Sequence, residues 1–346
     1  MESHGSKTMA VVLVAHGEAE TSGFFENYRV SHHTLERASS VMHIPPLLRQ
    51  VISVSSSLKK KMRAGSAAGS PQNPLTRSQV VTLQEHLDRR RAFDGCVRFK
   101  VRAAFSASEP YVEDVLADTR KGYDGLIVLP MAPVDNALSC GVLCAHLAEV
   151  STPVELSRTR VIGRLWPDGA LHRTCLDHLF ESARVMPVSN REHNVLMLLF
   201  HGTIIRDKNG DVPAFHTGHE ETAAFSRHLT SLIESDSRNR WGTVMTAFLN
   251  HDVGGEWSTP SFSDVCKTVG RSGCRHVSLF AAGYFSDGNE TIHQAALLGA
   301  AMPSLQVESI PCLNDSPSFS SYLAGKVIGA ASQILAFSGD SRAFAM

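Results

Sequence analysis

His201 closes the apolar run NVLMLLF (194–200) and is followed at once by Gly202. A neutral imidazole in that position takes up a proton near neutral pH or binds a divalent cation through a ring nitrogen. Further along, the segment AGYFSDGNETIHQ carries Glu290 and, three residues later on nearly the same helical face, His293. A carboxylate and an imidazole in one apolar cleft hold a borderline divalent cation or pass protons. Each also has a purely structural reading. A histidine after a strand is ordinarily a hydrogen-bonded loop residue. Glu290, in the first turn of a helix capped by Asp287 or Asn289, complements the helix dipole by about 0.3–1 kcal/mol. A second His-Gly pair, His16-Gly17, closes the run MAVVLVA (9–15), so the same chemistry is open there.

These residues need strands to carry them. Both His-Gly runs are apolar on both faces, as a buried parallel strand requires. The echo continues in register. FKVRAAF (99–105) leads to Glu109-Pro110 and the helical YVEDVLADTRKG, then to the strand GLIVLP. GTVMTAF (242–248) leads to Pro260 and SFSDVCKTVGRSG, then to HVSLFA. In both, a proline is expected to open the helix and a glycine, Gly122 or Gly273, to close it. Strand, helix, strand in this order predicts right-handed βαβ units in an α/β fold. The chain therefore reads as two copies of one unit, about 8–185 and 190–340, with a linking helix near 170–185 and a closing helix over 318–337. Ligands of such sheets bind outside the carboxyl ends of the strands, where both His-Gly pairs fall.

The first copy carries an insertion at about 18–98, expected to form one wall or lid of a cleft. It contains PPLLRQVISVSSSLKKKMR, an amphipathic helix with a basic end, then AGSAAGSPQ, then NPLTRSQVVTLQEHLDRRR. Thr76 or Ser78 is expected to cap the last helix, with Val80, Leu83 and Leu87 as its apolar face.

Composition removes several classes. Hydrophobic residues at 43% and charged residues at 19% suit a large buried core and exclude global disorder. Lys+Arg 33 against Asp+Glu 34 leaves no field to draw nucleic acid. The apolar runs fall far short of the ~20 residues of a membrane span. The polar start Met1–Thr8 does not read as a secretory signal. Seven scattered cysteines without a CxxC suggest reduced thiols in a cytoplasmic protein.

Taken together, these motifs resemble those of a ferrochelatase, of the class II chelatase superfamily, over about residues 8–330. FHGTIIRDKNGD resembles the family's strand-His-loop segment with His201 in place, followed by Thr222-Ala223. Trp257-Ser258-Thr259-Pro260 resembles W-L-x-P. AGYFSDGNET resembles P-G-F-x-x-D-x-x-E-T, with Gly283, Asp287, Glu290 and Thr291 in register and Tyr284 where the family has Phe. Asn73-Pro74-Leu75-Thr76 resembles S-P-L-x-x-x-T; Glu109-Pro110-Tyr111-Val112-Glu113-Asp114 and Val128-Leu129-Pro130 match further motifs. The chain departs from the family at AHGEA, which brings in His16, at MAPVDNALSCG, and at Phe248-Leu249-Asn250, where the family has F-Q-S.

The resemblance implies two similar Rossmann-like halves, each a parallel sheet flanked by helices, with a cleft between them. It implies insertion of Fe2+ into a porphyrin, protoporphyrin IX or coproporphyrin III, late in haem biosynthesis. His201 and Glu290 become the catalytic and metal-holding pair; Pro74, Leu75, Thr76, Phe200, Trp257 and Tyr284 become the porphyrin contacts. Iron is substrate, no prosthetic group is expected, and a lone Cys312 near the end argues against an iron–sulfur cluster. No nucleic-acid partner and no integral membrane segment are expected; peripheral contact through Lys59-Lys60-Lys61 stays open. Three alternatives also stay open: a chelatase for another tetrapyrrole or metal, of the sirohydrochlorin type with Co2+ or Fe2+; a two-lobed binding protein of the periplasmic type, against which the lack of a readable signal segment counts; and a non-catalytic porphyrin- or haem-binding protein.

Overall fold

In the computed structural model, which describes residues 6–42, 44–63, 69–90, 92–184, 188–251 and 254–337, the apolar runs become the central strands of two parallel sheets. The described residues fall into two compact units. One lies within Met1–Met131, Ala137–Gly163 and Asp315–Met346; the other lies within Ala132–Asn136 and Arg164–Asn314.

In the first unit, β1 (Lys7–Ala15) is followed by three helices, α1 (Phe24–Ala38), α2 (Pro46–Arg63) and α3 (Gln72–Arg90). Then come β2 (Val97–Phe105), α4 (Val112–Thr119), β3 (Gly125–Pro130), α5 (Val142–Val150), α6 (Pro153–Ser157) and β4 (Thr159–Val161). The sheet order is β2-β1-β3-β4, every pair parallel. β1 is buried from Met9 to Ala15, as a strand covered on both faces must be. The insertion thus folds as α1–α3. Residues 64–68 of its Gly/Ala/Ser stretch lie outside the described residues.

In the second unit, α7 (Gly169–Ser182) precedes β5 (Asn194–His201), β6 (Ile204–Arg206), α8 (His219–Ser235), β7 (Thr243–Leu249) and β8 (Glu256–Trp257). α9 (Phe262–Arg271), β9 (His276–Phe280), α10 (Asn289–Ile292), α11 (Gln294–Ala301) and β10 (Gln306–Ile310) follow. The order β10-β9-β5-β7 is again all parallel. Counted along its own unit, each sheet reads 2-1-3-4, so the two halves share one topology. β5 is buried at every residue but its last, His201. On one face Val195, Met197 and Leu199 pack with Val265, Val269 and Leu279. Each such side chain contributes roughly 1.5–3 kcal/mol by leaving water.

Four expectations change. The prolines do not open the helices. Pro110 and Pro260 follow cis peptide bonds, and their carbonyls accept from the amides of Phe105 and Phe248. The helices start two residues later, with Tyr111 and Ser261 as N-caps. Gly122 and Gly273 do follow the helices with φ of 95° and 71°, the left-handed backbone that stops them. Second, α3 starts at Gln72, so Thr76 lies inside it and donates to the Gln72 carbonyl instead of capping. Leu83 and Leu87 are its buried face. Third, the helix expected over 170–185 ends at Ser182 and belongs to the second unit, while 185–187 lie outside the described residues. Fourth, the closing helix, α12 (Pro317–Phe337), belongs to the first unit. Ser320 donates to Thr82, and Arg90 reaches the Ser321 hydroxyl, tying it to α3. Its buried Leu323, Val327 and Ile334 make it a core element of that unit, so the expected boundaries at 185, 190 and 340 do not coincide with the compact units.

Candidate metal centre

In an open sheet of order 2-1-3-4, the connections leave strand 1 in opposite directions, and a crevice opens at its carboxyl end. In the second unit that strand is β5, between β7 and β9. His201 ends β5, Asn250-His251 follows β7, and Tyr284 and Glu290 lie in the segment after β9.

The glycines let these ends approach. The Gly202 amide donates to the Leu249 carbonyl at 2.9 Å, and its α-carbon faces the Asn250 carboxamide with no room for a side chain. A methyl group on Gly283 would lie 2.9 Å from Phe200 Cα. Behind His201, the buried Ser258 hydroxyl lies 2.8 Å from Thr203 Oγ1 and 3.3 Å from His219 Nδ1, while its carbonyl accepts from Asn250 Nδ2 at 2.9 Å. This binds the loop after β5 to the loop before Pro260.

The Glu290 segment is held by Asp287. Its carboxylate accepts from Thr291 Oγ1 at 3.1 Å, from Asn314 Nδ2 at 2.8 Å and from the Cys312 amide. The helix cap is Gly288, whose amide donates to Thr291 Oγ1, rather than Asp287 or Asn289. Burial, then the Asp287 charge beside it, push the Cys312 thiol well above the usual thiol range, so it is a neutral packing group.

Three side-chain atoms of the kind that can ligate a metal meet beyond the strand ends. His201 Nε2 and His251 Nε2 are 3.1 Å apart. Glu290 Oε1 lies 3.8 Å from the first and 3.5 Å from the second. Among the described residues, this is the group of three His, Cys, Asp or Glu side chains whose ligand atoms come within 4.8 Å of one another. Tyr284 donates to Glu290 Oε2 at 2.6 Å, leaving Oε1 toward the histidines. The Trp257 ring meets His251 edge-on, centroids 5.6 Å apart.

His201, Glu290, Tyr284 and Trp257 are therefore brought together, and all four keep solvent-facing surface. Phe200 is not a wall: it has no exposed surface and packs against Phe225 and Phe248. Pro74, Leu75 and Thr76 lie in the first unit, on the first turns of α3; Pro74 is exposed, Leu75 half-buried, and Thr76 fully buried. His293 is exposed and outside the cluster, because α10 stops at Ile292 and the expected continuous helix face is broken there. His16, at the matching end of β1, lies 3.3 Å from Thr34 Oγ1. Sequence reasoning missed His251. The usable signal was the one that selected His201, a histidine just past a buried strand facing the switch point.

The ferrochelatase family matches this chain over residues 8–331. A ferrochelatase from Escherichia coli is 26% identical over 295 residues, 82% of this chain and 84% of that protein. One from Neisseria meningitidis is 26% identical over 226 residues, 63% of each chain, so the match spans under two thirds of that relative's length. Among solved structures, SirB from Bacillus subtilis with Fe3+ is similar at 11% identity and a TM-score of 0.46, over 94% of this chain and 96% of that one.

Proposed function

The chain belongs to the ferrochelatase family, and from that premise we propose that it inserts Fe2+ into a porphyrin. The observation that carries the reading is the meeting of His201 and Glu290, the two residues matching the family's motifs, with ligand atoms 3.8 Å apart at the carboxyl ends of a parallel sheet. Insertion requires two pyrrole N–H protons to leave as the metal enters. One imidazole nitrogen takes one proton: His201 Nε2, half-exposed at the strand end, receives the first as the metal passes to the ring, and the Glu290 carboxylate beside it relays the second outward to solvent. Glu290 favours the imidazolium that forms. A full charge pair near this distance is worth about 4 kcal/mol at an effective dielectric of 20, and less where both partners meet water. Tyr284 holds the carboxylate in place by its 2.6 Å hydrogen bond. The apolar and aromatic surface around the pair, Trp257 and Tyr284, suits a flat macrocycle better than one edged with many carboxylates.

The test is an anaerobic assay with protoporphyrin IX, coproporphyrin III and sirohydrochlorin, each with Fe2+, Co2+ and Zn2+, followed by the visible spectrum. The expected result is catalysed metalation of a porphyrin by Fe2+. Metalation of sirohydrochlorin alone would replace this reading with the other-tetrapyrrole alternative. Porphyrin binding without metalation would replace it with a carrier. Among the described residues no helix is long and apolar enough to cross a membrane.

A further inference from the structure

We infer that His251 is a third metal ligand, so that a divalent cation seats on the face formed by His201, His251 and Glu290 before the macrocycle arrives. The role in insertion rests on the function proposed above; the binding of the cation does not.

The three ligand atoms form a triangle with sides of 3.1, 3.5 and 3.8 Å. Its centre lies about 2.0 Å from each corner, and bonds of 2.0–2.2 Å from imidazole nitrogen and carboxylate oxygen to a tetrahedral cation need a triangle of about that size. Two ligands alone define no such seat. With three, a cation sits just off the triangle's plane and keeps its outer position open, as a site that hands metal to an incoming ring nitrogen must.

Each ligand is held by a different neighbour. His201 is the last residue of β5; Glu290 has Tyr284 on its other oxygen; His251 has the Trp257 ring edge-on. Trp257 is in turn fixed by β8, which pairs with β6 at Ile204↔Trp257. Outer partners of this kind orient metal ligands and set the ring tautomer. Here both Nε2 atoms must be free of protons when the cation enters, so each ring takes its proton on Nδ1 and the Nε2-to-Nε2 hydrogen bond is given up.

The segment Phe248-Leu249-Asn250 departs from the family's F-Q-S, and His251 follows it directly. A second imidazole nitrogen sets which cations this chain's residues favour. Two imidazoles and one carboxylate suit Fe2+, Co2+ and Zn2+ and give little to Mg2+ or Ca2+, which want oxygen. Affinity at such a set rises from Fe2+ to Co2+, so Co2+ is the probe of choice.

The experiment titrates the full-length chain with Co2+ in the absence of any tetrapyrrole and reads the visible ligand-field bands, which are intense when few ligands surround the ion. Wild type is expected to bind one Co2+ with intense bands. His251→Ala is expected to weaken binding by at least the ~10–100-fold that even outer partners cost, as are His201→Ala and Glu290→Gln. His251→Cys is expected to restore binding with a new sulfur-to-cobalt charge-transfer band, which a merely structural role would not produce. Far-UV circular dichroism checks folding of each variant. Unchanged affinity and bands in His251→Ala would overturn the inference, and so would a wild type that binds no Co2+. A wild type that binds Co2+ through all three residues yet metalates no tetrapyrrole would leave the inference standing and remove the proposed function. Metalation with an unchanged metal KM in His251→Ala would do the reverse.

Discussion

Gly202→Ala is the substitution that most directly joins the fold to the site. A methyl group there overlaps Asn250 Oδ1 and comes 2.9 Å from both Asn250 Cγ and the Leu249 carbonyl oxygen. The carboxamide can swing away, but the backbone oxygen cannot, because it accepts from the Gly202 amide at 2.9 Å. Overpacking of this kind costs about 1–3 kcal/mol. Displacing Asn250 also breaks its 2.9 Å bond to the Ser258 carbonyl, worth about 0.5–1.5 kcal/mol. The expected loss is therefore about 2–4 kcal/mol, a large share of a typical 5–15 kcal/mol stability. Denaturant unfolding of Gly202→Ala, Asn250→Ala and the double variant forms a cycle that isolates the contact. Truncating Asn250 removes the carboxamide part of the overlap and leaves the Leu249 oxygen in place, so the double variant should be more stable than the sum of the singles by about 0.5–1.5 kcal/mol, the lost Asn250 bond being counted once. The same displacement moves the neighbour His251, so Co2+ affinity should fall in Gly202→Ala under fully native conditions. A Gly202→Ala protein as stable as wild type, or a cycle that is additive, would refute the steric account of the His-Gly pair.

Three further outcomes follow from single residues. His172 is buried and its ring nitrogen meets the Trp166 carbonyl at 2.6 Å, yet burial holds its pKa below the ordinary 6.5. The unfolded chain then takes up a proton that the native one refuses, so stability should fall as pH drops from about 6.5 toward the lower native value. His172→Gln should flatten that part of the urea-midpoint profile; an unchanged slope would count against it. Burial pushes the Cys175 thiol up to about 12 and leaves Cys312 inert, whereas Cys144 is exposed. Iodoacetamide at pH 8, read by mass spectrometry, should label Cys144 long before either, and equal rates would contradict the burial. Finally, α2 carries Leu47, Val51 and Met62 on its exposed side beside Lys59, Lys60 and Lys61, with no acidic residue over 46–63. The chain is expected to co-sediment with phosphatidylserine vesicles. Exchanging the three lysines for Gln should weaken this on the order of 100-fold, at about 1 kcal/mol per charge. Equal sedimentation with neutral phosphatidylcholine would refute it.

The sheets were readable because their information is local. A run such as VLMLLF (195–200), apolar on both faces and ended by His-Gly, can be satisfied only as a covered parallel strand with a sharp exit, and its echo at 9–15 doubled the evidence. His201 and Glu290 were readable for the same reason, each standing at a fixed offset from such a strand. α12 was not. Its sequence says that a helix with a buried face exists, but the surface that buries it, Thr82 and Arg90 on α3, lies more than two hundred residues earlier in the chain. The first turns of α4 and α9 were misplaced because a proline before a helix is compatible with either the first turn or the preceding bend; only the carbonyl bonds back to Phe105 and Phe248 decide it. His251 carries the same signal as His201, a histidine just past a strand with a buried end, but with no glycine after it and no histidine at the matching point after β2 the sequence does not single it out. Phe200 is expected as a porphyrin contact from its place beside His201, but β5 is covered on both faces, so its side chain is core, under Gly283.

The central claim is that metalation is carried out at the end of β5 and not at the matching end of β1. It is tested by anaerobic single-turnover metalation of a porphyrin by Fe2+ in wild type, His201→Ala and His16→Ala, with porphyrin binding followed separately by fluorescence quenching. His201→Ala is expected to lose about 10²–10⁴-fold in rate, the usual worth of a general acid–base group, while still binding porphyrin. His16→Ala, whose ring lies 3.3 Å from Thr34 Oγ1 and, among the described residues, outside the His201, His251 and Glu290 cluster, is expected to stay near wild type. Near-full activity in His201→Ala, or an equal loss in His16→Ala, would contradict it.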